Sequence, residues 1–210
     1  VNRAIAWGLF GQARDRLDDA AGAFAAFTAG NQILLSAHTN LLGATGDFYH
    51  PESVRGLIRL VEGGLAQPVA VDDAAPIFLV GFPRSGTTLL DQILSSHTRL
   101  RCVEEQPHFL RAIAETLGDA KNIVRALDFT EAEAAHARRR YRALMGDADD
   151  DVTLIDKLPL NIVALPLIAH IFPNAKIILA LRDPRDTILS CHQQQFGMNA
   201  AMAQFLSLDT

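Results

Sequence analysis

A short loop rich in glycine, hydroxyl side chains and one arginine is the part of this sequence best suited to chemistry. It occupies residues 81–88, between the apolar run 77–80 and the helical stretch 89–96. Glycine lets the backbone turn tightly and approach a ligand, and the N–H groups of a first helical turn attract anions. Its donating side chains are Arg84, Ser85, Thr87 and Thr88. The loop is therefore predicted to bind a cluster of anionic oxygens.

A second anion-binding pair is predicted further along the chain. Arg182 follows 176–181, the most strand-like hexamer, and Ser190 lies eight residues later in a predicted helix, 184–195. Ligands of open α/β sheets bind at the carboxyl ends of the strands, so both side chains can face the groove that the loop faces. Two anion sites on one edge favour a ligand with phosphates at two positions. Taken alone, Arg182 and Asp183 could equally form a structural ion pair.

The loop differs from that of the nucleoside triphosphatases, which carries lysine after its second glycine. Thr87 occupies that position here, and the basic residue lies inside the loop at Arg84. Nucleotide hydrolysis is therefore disfavoured, and a P-loop kinase-like phosphotransferase is the alternative enzyme. A turn without a ligand is also disfavoured, because a turn does not require so many donors.

Alternating strands and helices must position these residues. Short β-rich runs at 77–80, 100–103, 152–155 and 176–181 are predicted strands, and the stretches between them are largely helical. This alternation predicts an α/β fold, with a parallel sheet flanked by helices on both faces. Pro159 is predicted to begin a helix that runs to Ile171.

The N-terminal third has a different pattern and is predicted to be a separate helical segment. We place it at 1–70 and the α/β domain at 71–210, with a proline-containing linker at 67–76. Small and large residues alternate as in one tetratricopeptide repeat, and an ordinary helical hairpin is the alternative. The residues that carry this pattern are Ala4, Trp7, Gly8, Leu17, Ala20, Phe24 and Phe27.

Composition excludes several classes of protein. The chain is 49% hydrophobic and 20% charged, as in globular domains, and its net charge of −5 argues against a general nucleic-acid binder. No apolar run approaches the roughly 20 residues that span a bilayer. Cys102 and Cys191 have no metal-ligand spacing and fit a reducing, cytoplasmic location, although one long-range disulfide stays possible. Because the first residue is Val1, we expect a fragment or a processed chain.

Two stretches resemble sulfotransferases that use 3′-phosphoadenosine 5′-phosphosulfate. Residues 82–90, FPRSGTTLL, resemble their 5′-phosphosulfate loop, and 182–190, RDPRDTILS, resemble their 3′-phosphate motif. The resemblance covers about residues 76–205. Shorter matches at 104–105, 156–157 and 172–176 resemble the branch that contains tyrosylprotein sulfotransferases and bacterial sulfotransferases fused to tetratricopeptide repeats.

The resemblance implies a P-loop-type sheet and a role for each matching residue. Glu105 would be the general base, with Glu104 as the competing choice, and Lys157 would stabilise the leaving phosphate. The donor would be 3′-phosphoadenosine 5′-phosphosulfate, which leaves as 3′-phosphoadenosine 5′-phosphate, and no metal is expected. The donor's 5′ end would be held by Arg84, Ser85, Gly86, Thr87 and Thr88, and its 3′-phosphate by Arg182 and Ser190.

The acceptor stays open between a small molecule, a sugar and a peptide. Pro107 stands where tyrosylprotein sulfotransferases carry an arginine, which disfavours an acidic tyrosine peptide. The helical segment offers a surface for a protein partner. Family members continue beyond the position of Thr210, so we expect the C-terminal part of the transferase fold to be missing from this sequence. The non-catalytic alternative is a repeat scaffold with a degenerate transferase fold.

Overall fold

The structure is a computed structural model that describes residues 2–43, 47–64, 75–147 and 151–208. Its chain divides into two units. One comprises Val1–Ser53 with Asp183–Thr210, and the other is Val54–Arg182.

Helices account for most of the described residues. The α-helices are α1 (Asn2–Asp15), α2 (Ala20–Ala37), α3 (Thr39–Leu42), α4 (Pro51–Glu62), α5 (Thr87–Ser95), α6 (His108–Leu117), α7 (Glu131–Met145), α8 (Leu165–Ile171), α9 (Pro184–Gln193) and α10 (Ala200–Ala203). Three 3₁₀ turns are described at Ile123–Asp128, Pro159–Ile162 and Gln204–Leu206. No helix within these ranges combines the length and apolar character that crossing a bilayer requires.

The second unit is built on a parallel sheet of four strands. They are β1 (Ile77–Gly81), β2 (Leu100–Glu104), β3 (Thr153–Lys157) and β4 (Lys176–Ala180), in the order β2-β3-β1-β4. All three pairings are parallel, so the carboxyl ends of the strands lie along one edge. The prediction of an α/β fold with a parallel sheet is confirmed. Strand β1 lies inside the sheet, which explains its continuous apolar sequence.

An aromatic cluster fixes helices α6, α7 and α8 against one face of this sheet. Phe78 of β1 is fully buried, and its ring lies 5.9 Å from Phe109 and 5.6 Å from Tyr141. Phe172, just after α8, lies 5.2 Å from Tyr141. The rings pack edge-on, tilted or stacked at the centroid separations that aromatic pairs prefer. The cluster holds β1 in place, and β1 leads directly into the glycine-rich loop.

The helix predicted from Pro159 to Ile171 is in fact two elements, so this prediction is wrong in part. A 3₁₀ turn, Pro159–Ile162, is followed by a separate helix, α8, with Pro166 in its first turn. Proline has no N–H and clashes with the preceding turn inside a helix, so a new helix must begin beside it. The break places the 3₁₀ turn next to the end of β3.

The first unit is a helical assembly in which small residues allow close packing. A Cβ added at Gly11 of α1 would lie 2.8 Å from the Phe27 ring of α2, so a larger residue does not fit there. Helix α9 joins this pair, because the side-chain amide of Asn31 donates to the His192 carbonyl at 2.8 Å. The hairpin of α1 and α2 is present, and its relation to a tetratricopeptide repeat stays a prediction.

Two other predictions concern the chain as a whole. The linker 67–76 lies mostly outside the described residues, since 65–74 are not described, and the division near residue 70 therefore stays a prediction. Cys102 and Cys191 are not joined by a disulfide in the structure, so the disulfide that the sequence left possible is not formed.

Candidate functional site

The loop after β1 requires glycine at two positions, Gly81 for lack of space and Gly86 for its backbone conformation. A Cβ on Gly81 would lie 2.6 Å from the Ser85 hydroxyl oxygen and 2.9 Å from the Ala180 carbonyl oxygen. Gly86, the N-cap of α5, has a φ of 101° and makes no side-chain capping bond. Both glycines therefore shape a tight turn whose first helical N–H groups lack a capping side chain.

The hydroxyl groups of the loop match the predicted anion site. Ser85 is buried, and its Oγ has no hydrogen-bond partner among the residues that the structure describes. Thr87 is also buried, whereas Thr88 is exposed at the start of α5. A buried hydroxyl without a partner costs free energy, which a bound oxygen anion would recover. The residues present therefore fit a phosphate or phosphosulfate group.

Arg84 and Arg182 lie on the same edge of the sheet. Strands β1 and β4 pair in register up to Gly81 and Ala180, so the segments that follow them leave the sheet side by side. The Arg182 Nη1 atom lies 3.5 Å from the Arg84 carbonyl oxygen. Both side chains are exposed. Ser190 lies on α9 in the first unit, and its pairing with Arg182 stays a prediction.

Lys157 and Glu105 form an ion pair at the carboxyl ends of β3 and β2. The Lys157 side chain is only 1% exposed, and its Nζ donates to Glu105 Oε1 at 2.7 Å. The same Nζ lies 3.5 Å from the Thr88 hydroxyl oxygen, at the start of α5. The Glu105 N–H donates to the Lys157 carbonyl at 2.8 Å, which holds the two residues together through the backbone as well. The ammonium group thus lies between the carboxylate and the loop.

Asp91 of α5 is a second acidic neighbour of Lys157, and the sequence analysis missed it. Its Oδ2 lies 4.0 Å from Lys157 Nζ, and its Oδ1 accepts a hydrogen bond from Ser95 at 3.1 Å. Asp91 is buried, so its charge is not fully screened by water. A signal was present in the sequence, because Asp91 follows Thr88 by three residues and therefore shares its helix face.

Two site residues have unusual backbone geometry. Of the described non-glycine residues, only Asp18, Arg84 and Glu105 have positive φ, at 59°, 68° and 46°. This conformation is unfavourable for residues with a Cβ and is concentrated at functional sites in proteins. Glu104, the competing candidate base, lies within β2 and is exposed. Glu105 is thus the carboxylate that the chain turns toward Lys157.

Asp156, next to Lys157, has a different environment. Its side chain is fully buried, and neither carboxyl oxygen has a hydrogen-bond partner among the described residues. Burial raises the pKa of Asp156 from 3.8 to about 7, and the nearby Tyr141 hydroxyl lowers this pKa by a smaller amount. Burial is also the main reason that the pKa of Tyr141 is raised. Neighbouring residues of β3 therefore serve different roles, Asp156 in the core and Lys157 at the site.

Replacing Asp156 by asparagine should change how stability depends on pH. Below about pH 4, Asp156 is protonated in the folded and in the unfolded protein. Between about pH 4 and 7, the unfolded chain loses this proton, whereas the folded protein keeps it. The free energy of unfolding of the unsubstituted protein should therefore fall across this range, relative to Asp156→Asn, by up to about 4 kcal/mol. Urea unfolding of both proteins at pH 4.5 and 7.5 measures this, with exposed Asp128→Asn as control. A constant difference would contradict the buried, protonated state of Asp156.

The arrangement can bind an oxyanion and move a proton beside it. The loop and Arg182 supply donors, Lys157 supplies a positive charge, and Glu105 supplies a carboxylate that is 58% exposed and open to a substrate. Among the described residues, no three His, Cys, Asp or Glu side chains are grouped to hold a metal ion.

The part of the chain that contains this site is similar in sequence to known proteins. The Sulfotransferase family matches residues 76–209, which include the sheet and the loop. An uncharacterized protein of Aquifex aeolicus is 36% identical over 132 residues, 58% of this chain and 17% of that protein. Protein-tyrosine sulfotransferase 1 of mouse is 30% identical over 125 residues, 56% of this chain and 34% of the enzyme. Protein-tyrosine sulfotransferase A of Caenorhabditis elegans is 31% identical over 121 residues, which are 54% of this chain and 32% of that protein.

The family match falls on the part of the chain that carries the site. The chain spans about a third or less of the length of these relatives. The family match nonetheless covers more than half of the chain, from the start of the sheet to its last helices. On this evidence the chain belongs to the sulfotransferase family.

Proposed function

We propose that the protein transfers a sulfuryl group from 3′-phosphoadenosine 5′-phosphosulfate to a hydroxyl or amine of an acceptor. The observation that carries this proposal is the ion pair of buried Lys157 with Glu105, 2.7 Å apart and next to Thr88 of the loop. Sulfuryl transfer needs a base for the acceptor and a positive charge for the leaving phosphate, and this pair supplies both.

The donor would lie along the carboxyl edge of the sheet. Its 5′-phosphosulfate would accept hydrogen bonds from the loop and from Arg84, whose planar guanidinium suits phosphate and sulfate oxygens. Its 3′-phosphate would bind Arg182, whose guanidinium lies at the loop backbone, together with Ser190. The orphan hydroxyl of Ser85 supports an oxyanion at the loop.

The transfer would be an in-line displacement at sulfur. The acceptor oxygen attacks sulfur while its proton passes to the Glu105 carboxylate. The bond between sulfur and the bridging phosphate oxygen breaks, and its electron pair stays on 3′-phosphoadenosine 5′-phosphate. Lys157 stabilises the negative charge that develops on that oxygen. Lys157 contacts only the Oε1 atom of Glu105, so Oε2 would be the oxygen that accepts the proton.

The spent donor should stabilise the protein more than nucleotides that lack a 3′-phosphate. We expect 3′-phosphoadenosine 5′-phosphate at 100 times its Kd to raise the free energy of unfolding by about 2.7 kcal/mol. ATP and AMP at the same concentration should have much smaller effects, and Arg182→Ala should remove the difference. A thermal-shift titration measures this, with Arg99→Ala as control, since Arg99 precedes β2 and lies away from the carboxyl edge. Equal shifts for all three ligands would refute the 3′-phosphate site, and a response to Mg²⁺-ATP alone would favour a kinase.

A further inference from the structure

Helix α9 carries Ser190, and the N-terminal hairpin of α1 and α2 holds this helix in place. The hairpin and α9 belong to the same unit, although 161 positions separate Asn31 of α2 from His192 of α9. Two sets of contacts join them, one through His192 and one through Gln195. Both residues lie within five positions of Ser190, so these contacts anchor the segment that carries the serine.

Asn31 of α2 makes the first set of contacts. Its side chain is buried, and its Nδ2 atom donates to the His192 carbonyl oxygen at 2.8 Å and lies 3.1 Å from His192 Nδ1. An amide nitrogen has two N–H groups, so it can serve both acceptors when the imidazole is neutral. Burial lowers the pKa of His192, which favours the neutral ring. The hydroxyl oxygen of Thr28, about one turn earlier on α2, lies 3.4 Å from Nε2, so α2 contacts both ring nitrogens and the backbone of His192.

Gln195 makes the second set of contacts, just after the end of α9. Its Nε2 atom donates to the carbonyl oxygen of Ile5 at 3.2 Å and lies 3.5 Å from that of Ala4, both in α1. Gly8 leaves room for this amide, because a Cβ at that position would overlap Gln195 Nε2. The side chain of Gln195 thus reaches the backbone of α1 directly.

Polar contacts of this kind determine where a helix lies. Each hydrogen bond has a preferred distance and angle, so several of them limit how far α9 can rotate or slide against the hairpin. A side chain that binds a ligand must be held within about 0.5 Å of its working position, which requires a rigid support. Ser190 precedes His192 by two residues of the same helix, so a shift at His192 would move the serine as well.

We propose that Asn31 and Gln195 are positioning residues for recognition of the donor's 3′-phosphate, so that the N-terminal hairpin takes part in donor binding. This inference rests on the proposed function, in which Ser190 binds that phosphate. Neither residue needs to touch the donor, because both act through α9 by holding the Ser190 hydroxyl in position. A nucleotide without a 3′-phosphate gains nothing from this support.

The affinity for 3′-phosphoadenosine 5′-phosphate, compared with that for AMP, tests this role. Asn31→Leu keeps the size of the side chain but removes the amide, and it should raise the Kd of 3′-phosphoadenosine 5′-phosphate by at least about tenfold, as for loss of a hydrogen bond to a charged group. The Kd of AMP should stay within about twofold. Gln195→Ala should have the same selectivity with a smaller effect of about threefold. Gln195 is exposed, so this second variant should fold even if Asn31→Leu does not.

Two control variants separate positioning from a general loss of stability. Phe27→Leu weakens the packing against Gly11 inside the hairpin and leaves the amide of Asn31 in place. Gln194→Ala removes an exposed amide that donates within its own segment, to the Gln195 carbonyl oxygen at 3.4 Å. In both controls the ratio of the two Kd values should stay within about twofold of that of the unsubstituted protein. Calorimetric titration measures every Kd.

The double variant Asn31→Leu with Ser190→Ala shows whether Asn31 acts through Ser190. If it does, the double variant should bind 3′-phosphoadenosine 5′-phosphate no more weakly than Ser190→Ala alone. Losses that multiply would overturn the inference, as would a ratio of Kd values that Asn31→Leu and Gln195→Ala leave unchanged. In both of these cases the unsubstituted protein still prefers 3′-phosphoadenosine 5′-phosphate to AMP. An unsubstituted protein without this preference would instead refute the proposed function, and the role of the hairpin with it.

Discussion

Replacing Glu105 by glutamine should lower kcat by about 10² to 10⁴-fold and leave the Kd of 3′-phosphoadenosine 5′-phosphate nearly unchanged. Glutamine has almost the same shape but cannot accept the acceptor's proton. The ion pair with Lys157 is also lost, and because the Lys157 side chain is only 1% exposed, the free energy of unfolding should fall too, with Asp91 left as its acidic neighbour. Steady-state kinetics with a saturating donor, together with calorimetric titration of the spent donor, measure both quantities.

Glu104→Gln is the matched control for this experiment. Glu104 directly precedes Glu105, carries the same charge and is exposed, but Lys157 forms its ion pair with Glu105. The Glu104 variant should therefore keep kcat within about threefold of the unsubstituted enzyme, as most surface substitutions do. If Glu104→Gln abolished turnover and Glu105→Gln did not, the base would be Glu104 and the assignment would be reversed.

The sheet could be predicted because each of its strands has a local signal in the sequence. Residues 77–80 form an unbroken apolar run before a glycine-rich loop, and the structure has a strand at Ile77–Gly81. A strand buried on both faces needs such a run, and positive φ favours glycine, as at Gly86, so each signal has a physical cause. The loop that the sequence indicated accordingly begins where β1 ends.

Contacts that depend on packing could not be predicted from the sequence. The order of residues places Asp91 on the helix face of Thr88, but it does not place Asp91 beside Lys157 of β3, because this pair is created when the helix packs on the sheet. The apolar cleft of about 400 Å³ between α4, the loop and the 3₁₀ turn after β3 is likewise formed only when these elements pack together. The positive φ of Glu105 is equally invisible, since sequence patterns favour glycine for this conformation.

The resemblance to sulfotransferases assigned roles to residues whose type and spacing alone did not indicate them. From composition and spacing, Lys157 reads as a lysine at the end of a strand, with no reason to be buried. The structure shows it 1% exposed between two carboxylates, an environment that a lysine occupies only when its charge is compensated. Burial between two acidic side chains distinguishes Lys157 from a surface lysine at the end of a strand.

Replacing Lys157 by methionine should have two separable consequences. Loss of the charge opposite the leaving phosphate should lower kcat by about 10² to 10³-fold, as for loss of an oxyanion donor. Asp91 would also be left buried without its cationic neighbour, and we expect a loss of about 3 to 5 kcal/mol in the free energy of unfolding. Lys176→Met is the control, because Lys176 is exposed at the opposite end of the sheet.

The double variant Lys157→Met with Asp91→Asn separates these consequences. It removes both buried charges, so stability should recover by at least about 2 kcal/mol relative to Lys157→Met alone. Turnover should stay as low as in the single variant, because asparagine at position 91 restores no positive charge at the leaving group. Urea unfolding and steady-state kinetics on the same preparations measure both. If turnover recovered together with stability, Lys157 would act only as a structural partner of Asp91, and the leaving phosphate would need another source of positive charge.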